Sequence, residues 1–310
     1  MERDITVDEL VALCREKEAE AKKAYAYNRK QIAKIYATEF TLIEGYLDFS
    51  LELGQMLDSL IPAINKPFLQ FALLRIHERS IKVLREAKIL LENGSGSGAM
   101  ARWRTLFEFS VVANYLMKYP NTAEKYIMYS YVDDYKYSRR LVENRDRLKL
   151  HNFNMDAFPQ IEEEYRKVKE KYGWTGKNSY EWAKTDEVKK PDLLSLATAV
   201  DADHLYAYVC EAHLYNHPSM RYLINDRGGQ NPNNENEKAL FSPFGIELPC
   251  ALLVCSMHQV NGMALLGYCN LEAADPERIL FYSNMNKSFP EVIIKIAEEK
   301  RQQEATTHAD

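Results

Sequence analysis

Proline and glycine are both scarce in this chain of 310 residues, at 11 and 12 respectively. Strand signals are scarcer still: alternating β-branched runs closed by Asn-Gly or Asp-Gly turns are nearly absent, which argues against a sheet. The five cysteines, Cys14, Cys210, Cys250, Cys255 and Cys269, form no C-x-x-C pair and are odd in number. They therefore read as soft apolar residues in a reducing compartment, not as a disulfide framework. The N-terminus has no basic segment leading into an apolar one, so no signal peptide is expected. Basic charge is also in deficit: 40 Lys plus Arg against 45 Asp plus Glu give a net charge of −5. That removes a global field for nucleic acid and leaves only a local patch open. The run Asn93–Gly98 is rich in Gly and Ser but lacks the Gly-Lys-Ser/Thr ending of a phosphate-binding loop, so that reading fails. Its small residues would instead let the next helix start close to another backbone.

What the sequence does contain is helical periodicity. Thr6-Val7-Asp8-Glu9 is a capping-box pattern that opens a long first helix, rich in Glu, Lys and Ala. Apolar density rises from Phe40, and a helix follows over 67–92. The next, about 98–118, carries Trp103, Leu106, Phe107, Val111, Val112, Tyr115 and Leu116 around most of its circumference, which predicts a central position. Further helices are expected over 121–150, 160–172, 191–216 and 289–301, with a loop over 173–191. From Leu248 to Leu271 there is no charged residue, a length that could span a membrane. Ser256, His258, Gln259, Asn261 and Asn270 within it fit a core helix better, so no membrane association and a cytoplasmic location are expected. The fold class is all-α: a single multi-helix bundle of about eight helices around two apolar central helices. Residues 1–38 form an N-terminal helical extension, 39–301 the bundle, and 302–310 a disordered tail.

Three constellations could carry chemistry. Arg104 and Glu108, with Arg102 nearby, share one face of the apolar 98–118 helix, and Tyr115 continues the same stripe. A charge there must be paired or functional, because burying it alone is prohibitive. His213 and His217 sit at i,i+4, the spacing at which two imidazoles can grip a metal. A zinc protease would have Glu directly after the first His, where Leu214 stands, and no further His or Cys lies at ligand spacing. No metal and no cofactor are therefore expected. Pro218 ends that helix and leaves His217 beside its last carbonyls. Arg145 and His151, with five residues between them, fit the R-x(4–6)-H spacing of the HEPN ribonucleases. His258 and Gln259 read as buried polar groups with internal partners, and Asp201, Asp203 and His204 as a solvated face.

The segments Ala101-Arg-Trp-Arg104-Thr-Leu-Phe-Glu108 and Tyr206-Ala-Tyr-Val-Cys-Glu-Ala-His-Leu-Tyr-Asn-His217-Pro-Ser219 occur in that order. This arrangement resembles the bacterial and archaeal helical family catalogued as domain of unknown function 5677. The resemblance covers roughly residues 40–270 and implies a helical domain, an Arg104–Glu108 pair and His217 as the characteristic histidine. It implies no activity. The leading functional expectation is a phosphoester-directed site, RNA-cleaving or nucleotide-binding, in an anti-phage or toxin-like effector. Arg104 would bind phosphate, Glu108 would orient Arg104 or accept a proton, and His217 would act as general acid or base. Tyr115, Tyr206 and His213 would line the substrate. As an enzyme it would be a metal-independent nuclease or phosphoester hydrolase. The alternative is a non-enzymatic sensor or scaffold that forms a homo-oligomer or docks a partner through its first helix.

Overall fold

A computed structural model describes residues 5–149, 157–217 and 245–307. The helices are α1 (Val7–Ile35), α2 (Ala37–Ser59), α3 (Pro67–Glu92), α4 (Gly96–Lys118), α5 (Ala123–Met128) and α6 (Ser130–Glu143). They continue with α7 (Phe158–Tyr172), α8 (Leu193–Ala199), α9 (Tyr206–Asn216), α10 (Glu247–Tyr268) and α11 (Pro276–Thr307). There is no strand among the described residues, so the all-α class holds.

Helix α1 starts as its sequence dictates. The Thr6 hydroxyl accepts from the Glu9 backbone N–H, and the Glu9 carboxylate accepts from that of Thr6. The chain bends at Tyr36 (φ −114°, ψ 23°) without losing its hydrogen bonds: Tyr36 N–H reaches Ile32 O, and Phe40 N–H reaches Tyr36 O. Only the end of α1 enters the bundle, with Ile32 and Tyr36 buried. Helix α4 lies against α3, α8, α9 and α10, while α10 is held between α2, α3, α4 and α11. These are the two apolar central helices. Helix α10 is long and apolar enough to cross a membrane by length and composition, but 56% of its most apolar window is buried inside the bundle.

Small residues make the α3–α4 corner possible. Gly94 takes φ +76° and closes α3 in a Schellman motif, with Ser95 N–H on Leu90 O and Gly94 N–H on Leu91 O. Two residues after Gly94, a Cβ on Gly96 would lie 2.5 Å from the Gly245 carbonyl oxygen, so any larger residue would push α4 off the entry to α10. The serine–glycine run is thus a close-approach device.

There are more helices than expected because three long periodic segments are interrupted. The first interruption is the bend at Tyr36. The second lies at Tyr129, between α5 and α6. The third, inside 191–216, is a Schellman stop built on a non-glycine residue. Asp201 takes φ +59°, with Ala202 N–H on Ala197 O and Asp201 N–H on Thr198 O. Aspartate tolerates that left-handed conformation better than most residues, so the stop carries no glycine flag. The last helix begins at Pro276, not near 289, holds Pro290 inside it and runs to Thr307, beyond Arg301.

A layer of neutral polar side chains crosses the bundle between α2, α10 and α11. Asn286 Oδ1 accepts from the Tyr46 hydroxyl (2.5 Å) and from Asn261 Nδ2 (3.2 Å), while Asn286 Nδ2 donates to His258 O (3.0 Å). His258 Nδ1 faces Asn286 O at 3.1 Å. This gives His258 the internal partner its sequence position suggested.

Candidate functional site

Most of α4 is enclosed. Its less covered stripe, Ala101, Arg104, Thr105 and Glu108, faces α9. Between the two helices is an open cleft of about 340 Å³ lined by Ala101, Arg102, Arg104, Thr105, His213, Asn216 and His217. The fold therefore brings Arg104 and His217 together, although more than one hundred residues separate them in the chain.

The Arg104–Glu108 pair differs from a buried ion pair. The side chains are 28% and 32% exposed, and the closest approach, Nη1 to Oε2, is 3.8 Å. Among the described residues the Arg104 guanidinium makes no hydrogen bond, and its Nε is buried without a partner. Glu108 is engaged elsewhere: its Oε1 accepts from the Tyr180 hydroxyl at 2.6 Å. Arg102 pairs with Glu86 through Nη2, while its Nε is also buried and unpartnered. The cleft thus holds two guanidinium groups whose donors are largely unused. A guanidinium is a planar donor fork suited to carboxylate or phosphate.

The two histidines come from the last turn of α9 and its cap. Their ring centroids are 5.6 Å apart, and His217 N–H closes the helix on His213 O. Burial first, then the positive fields of Arg104 and His217, hold the His213 imidazole below its ordinary value. These influences favour the neutral, proton-accepting form of His213. Asn216 and Thr105 add neutral hydrogen-bonding groups to the wall.

Tyr206 opens α9 and lies close enough to Arg104 to feel its charge. Burial is the main influence raising its hydroxyl, but it does not line the cleft. Tyr115 shares the stripe by periodicity and yet belongs to the core. It is fully buried, and its hydroxyl donates to Ala183 O at 2.5 Å. Three turns beyond Arg104, the segment around Trp182 covers α4, and Tyr115 packs edge-on against that ring. As an expected substrate contact it is corrected to a structural residue.

Tyr180 had no sequence signal. It sits in the irregular segment after α7, which is anchored by Trp174 stacked on Tyr172 (4.4 Å) and by Trp182 against Tyr126 (4.7 Å). Its hydroxyl is pushed well above the ordinary tyrosine value, by burial first and then by the Glu108 charge, and so stays a donor. Arg145 lies in the turns after α6, while His151 lies outside the described residues, as do Pro218 and Ser219. Among the described residues no three His, Cys, Asp or Glu side chains gather as a metal site. Asp203 and His204 are exposed beside the α8–α9 stop.

A model of a family of unknown function (DUF5677) matches residues 70–234, which includes both α4 and α9. No curated protein and no solved structure matches the chain.

Proposed function

We propose, for a chain that belongs to the family of unknown function DUF5677, that the α4–α9 cleft binds a phosphoester and cleaves RNA by internal transesterification. The observation that carries this reading is the Arg104 guanidinium, whose Nε has no hydrogen-bond partner and whose Glu108 ion pair is 3.8 Å long, in a cleft shared with two imidazoles. Arg104, with Arg102 beside it, would hold the non-bridging oxygens and offset the charge that grows on them. His213, neutral and held by α9, would take the proton from the attacking 2′-hydroxyl. His217, at the carbonyl end of the same helix, would give a proton to the departing 5′-oxygen. The products are a 2′,3′-cyclic phosphate and a 5′-hydroxyl, and the two histidines exchange protonation states over the cycle. Glu108, held by Tyr180, would orient Arg104 and move no proton. An antiviral or toxin-like setting for this chemistry rests on fold-level analogy alone.

The test is incubation of the purified chain with a defined single-stranded RNA, with end groups read by mass spectrometry. Cyclic-phosphate ends that disappear in both His213→Ala and Arg104→Met support the reading. If there is no cleavage, and neither inorganic phosphate nor a mononucleotide raises the melting temperature, the reading fails. Phosphate or nucleotide stabilisation without cleavage would reduce it to nucleotide binding.

A further inference from the structure

Successive residues of an α-helix are about 100° apart around its axis. On α4 this sets Ala101 and Thr105 along one line, with Arg102 and Arg104 about 80° to either side of it and the fully buried Trp103 behind. Ala101 and Thr105 are therefore a narrow floor to the cleft, and the two arginines rise from its opposite flanks. Their partners lie in different parts of the fold, as that placement requires. Arg102 pairs through Nη2 with Glu86 of α3. Arg104 is nearest Glu108, which Tyr180 holds from the segment after α7. Across the floor α9 presents His213, Asn216 and His217, and no carboxylate lines the cleft.

The ion pair to Glu86 draws the Arg102 guanidinium toward α3, away from the Arg104 flank. It engages Nη2 alone: among the described residues Arg102 Nη1 makes no hydrogen bond. A guanidinium anchored in this way is pre-set to meet an anion through the donor that is left. One phosphate shared by both flanks would pull Arg102 off its carboxylate. Two successive phosphates of a strand laid across the floor meet one arginine each. From its own flank the Arg102 charge still acts on the phosphate held by Arg104.

We propose that Arg102 forms a second phosphate subsite, taking the phosphate next to the one held by Arg104, so that the cleft prefers single-stranded RNA with at least two phosphates over a mononucleotide. This subsite presupposes the phosphoester reading of the cleft and adds a minimum substrate length to it. Arg102 sets that length and moves no proton.

Calorimetric titration of the full chain with 2′-O-methyl UpU, which has one phosphodiester, and 2′-O-methyl UpUpU, which has two, tests this without cleavage, because the attacking hydroxyl is blocked. Wild type should bind UpUpU at least tenfold more tightly than UpU, whereas a lone phosphate subsite would give only a statistical factor of about two. Arg102→Met should weaken UpUpU much more than UpU and bring their ratio down to about two. It should also reduce the slope of log K against log salt concentration for UpUpU by about 0.7, the share of one phosphate contact on a single strand. Arg102→Lys keeps the charge and can still pair with Glu86, so it should fold even if Arg102→Met does not, keep the salt slope and lose part of the ratio. A wild-type ratio near two, or an Arg102 variant that weakens UpU as much as UpUpU, would overturn the second subsite and leave the phosphoester reading standing. If wild type binds neither ligand, that reading fails and the subsite with it.

Discussion

Arg104 on α4 and Asn286 on α11 are both polar groups set into apolar helical surroundings, yet one has a buried donor with no partner and the other is hydrogen-bonded at both of its side-chain polar atoms. The Asn286 side chain is engaged at both of its polar atoms by α2 and α10: its Oδ1 accepts from Tyr46 and Asn261, and its Nδ2 donates to the His258 carbonyl. All of these groups are neutral, so burying them satisfied adds no charge-desolvation cost. Around Arg104 the group is charged, half-covered and next to an open cleft, and its nearest carboxylate is held away by another residue. The first arrangement fixes helix register. The second leaves binding capacity facing solvent, and the proposed site rests on that difference more than on residue type.

The largest expected effect lies on the closed side. Asn286→Leu would leave the Tyr46 hydroxyl, the Asn261 amide and the His258 carbonyl without a shared partner. Asn261 Nδ2 keeps its bond to Ser50 Oγ, so the unmet groups are the Tyr46 hydroxyl and one N–H of Asn261; at about 1–3 kcal/mol each, the loss of stability is expected at about 2–5 kcal/mol. Chemical denaturation measures it. A loss below about 1 kcal/mol would mean that the layer does not hold these helices in register.

His77 tests the buried core by pH. It is completely buried on α3, and neither ring nitrogen makes a hydrogen bond. Burial depresses it to about 4. An unfolded His titrates near 6.5, so between those values the unfolded state binds a proton that the folded state refuses. Stability present above about pH 6.5 is therefore lost as the pH falls toward 4, by on the order of 3 kcal/mol from this residue. His77→Met should flatten that slope and be neutral or stabilising at pH 7. An unchanged acid limb would assign the slope to other groups.

On the open side the effects should move from stability to function. Arg104 and Glu108 are part-exposed and 3.8 Å apart, so their attraction contributes no more than about 1 kcal/mol. Arg104→Met with Glu108→Leu should melt no lower than wild type and still lose about tenfold to a hundredfold in RNA cleavage or phosphate affinity, equivalent to about 1.4–2.7 kcal/mol. A folded double variant with full activity would remove both residues from the mechanism.

Helix type, the central position of α4 and the Thr6–Glu9 cap were legible because each rests on local pattern. So were the partners at the cleft: an Arg-x-x-x-Glu face and an i,i+4 histidine pair are one-turn signals. Tyr115 was misread because periodicity places a residue on a stripe but does not say what covers the stripe three turns later, here the Trp182 segment. The break at Asp201 was hidden because its positive φ needs no glycine. Tyr180 was invisible because it acts from an irregular segment, 72 residues from Glu108 in the chain, and no periodicity reports such a contact.

Tyr180 also sharpens the comparison most finely. Its hydroxyl occupies Glu108 Oε1, and Glu108 Oε2 stands 3.8 Å from Arg104, just outside hydrogen-bonding distance. If Tyr180 keeps the pair apart, the cleft is open because of it. In Tyr180→Phe the carboxylate is released, can turn onto the guanidinium and satisfy it internally, as Tyr46, Asn261 and His258 satisfy Asn286. Phosphate or nucleotide affinity should then fall about fivefold, the worth of one ordinary hydrogen bond near 1 kcal/mol. Thermal stability should change by no more than that. Combining Tyr180→Phe with Glu108→Gln should recover part of the loss, because a neutral amide competes poorly with an anion for Arg104. Calorimetric titration with inorganic phosphate measures all three variants. Equal affinity for wild type and Tyr180→Phe would reduce Tyr180 to an anchor for its loop and leave the gap between Arg104 and Glu108 to the helix geometry alone.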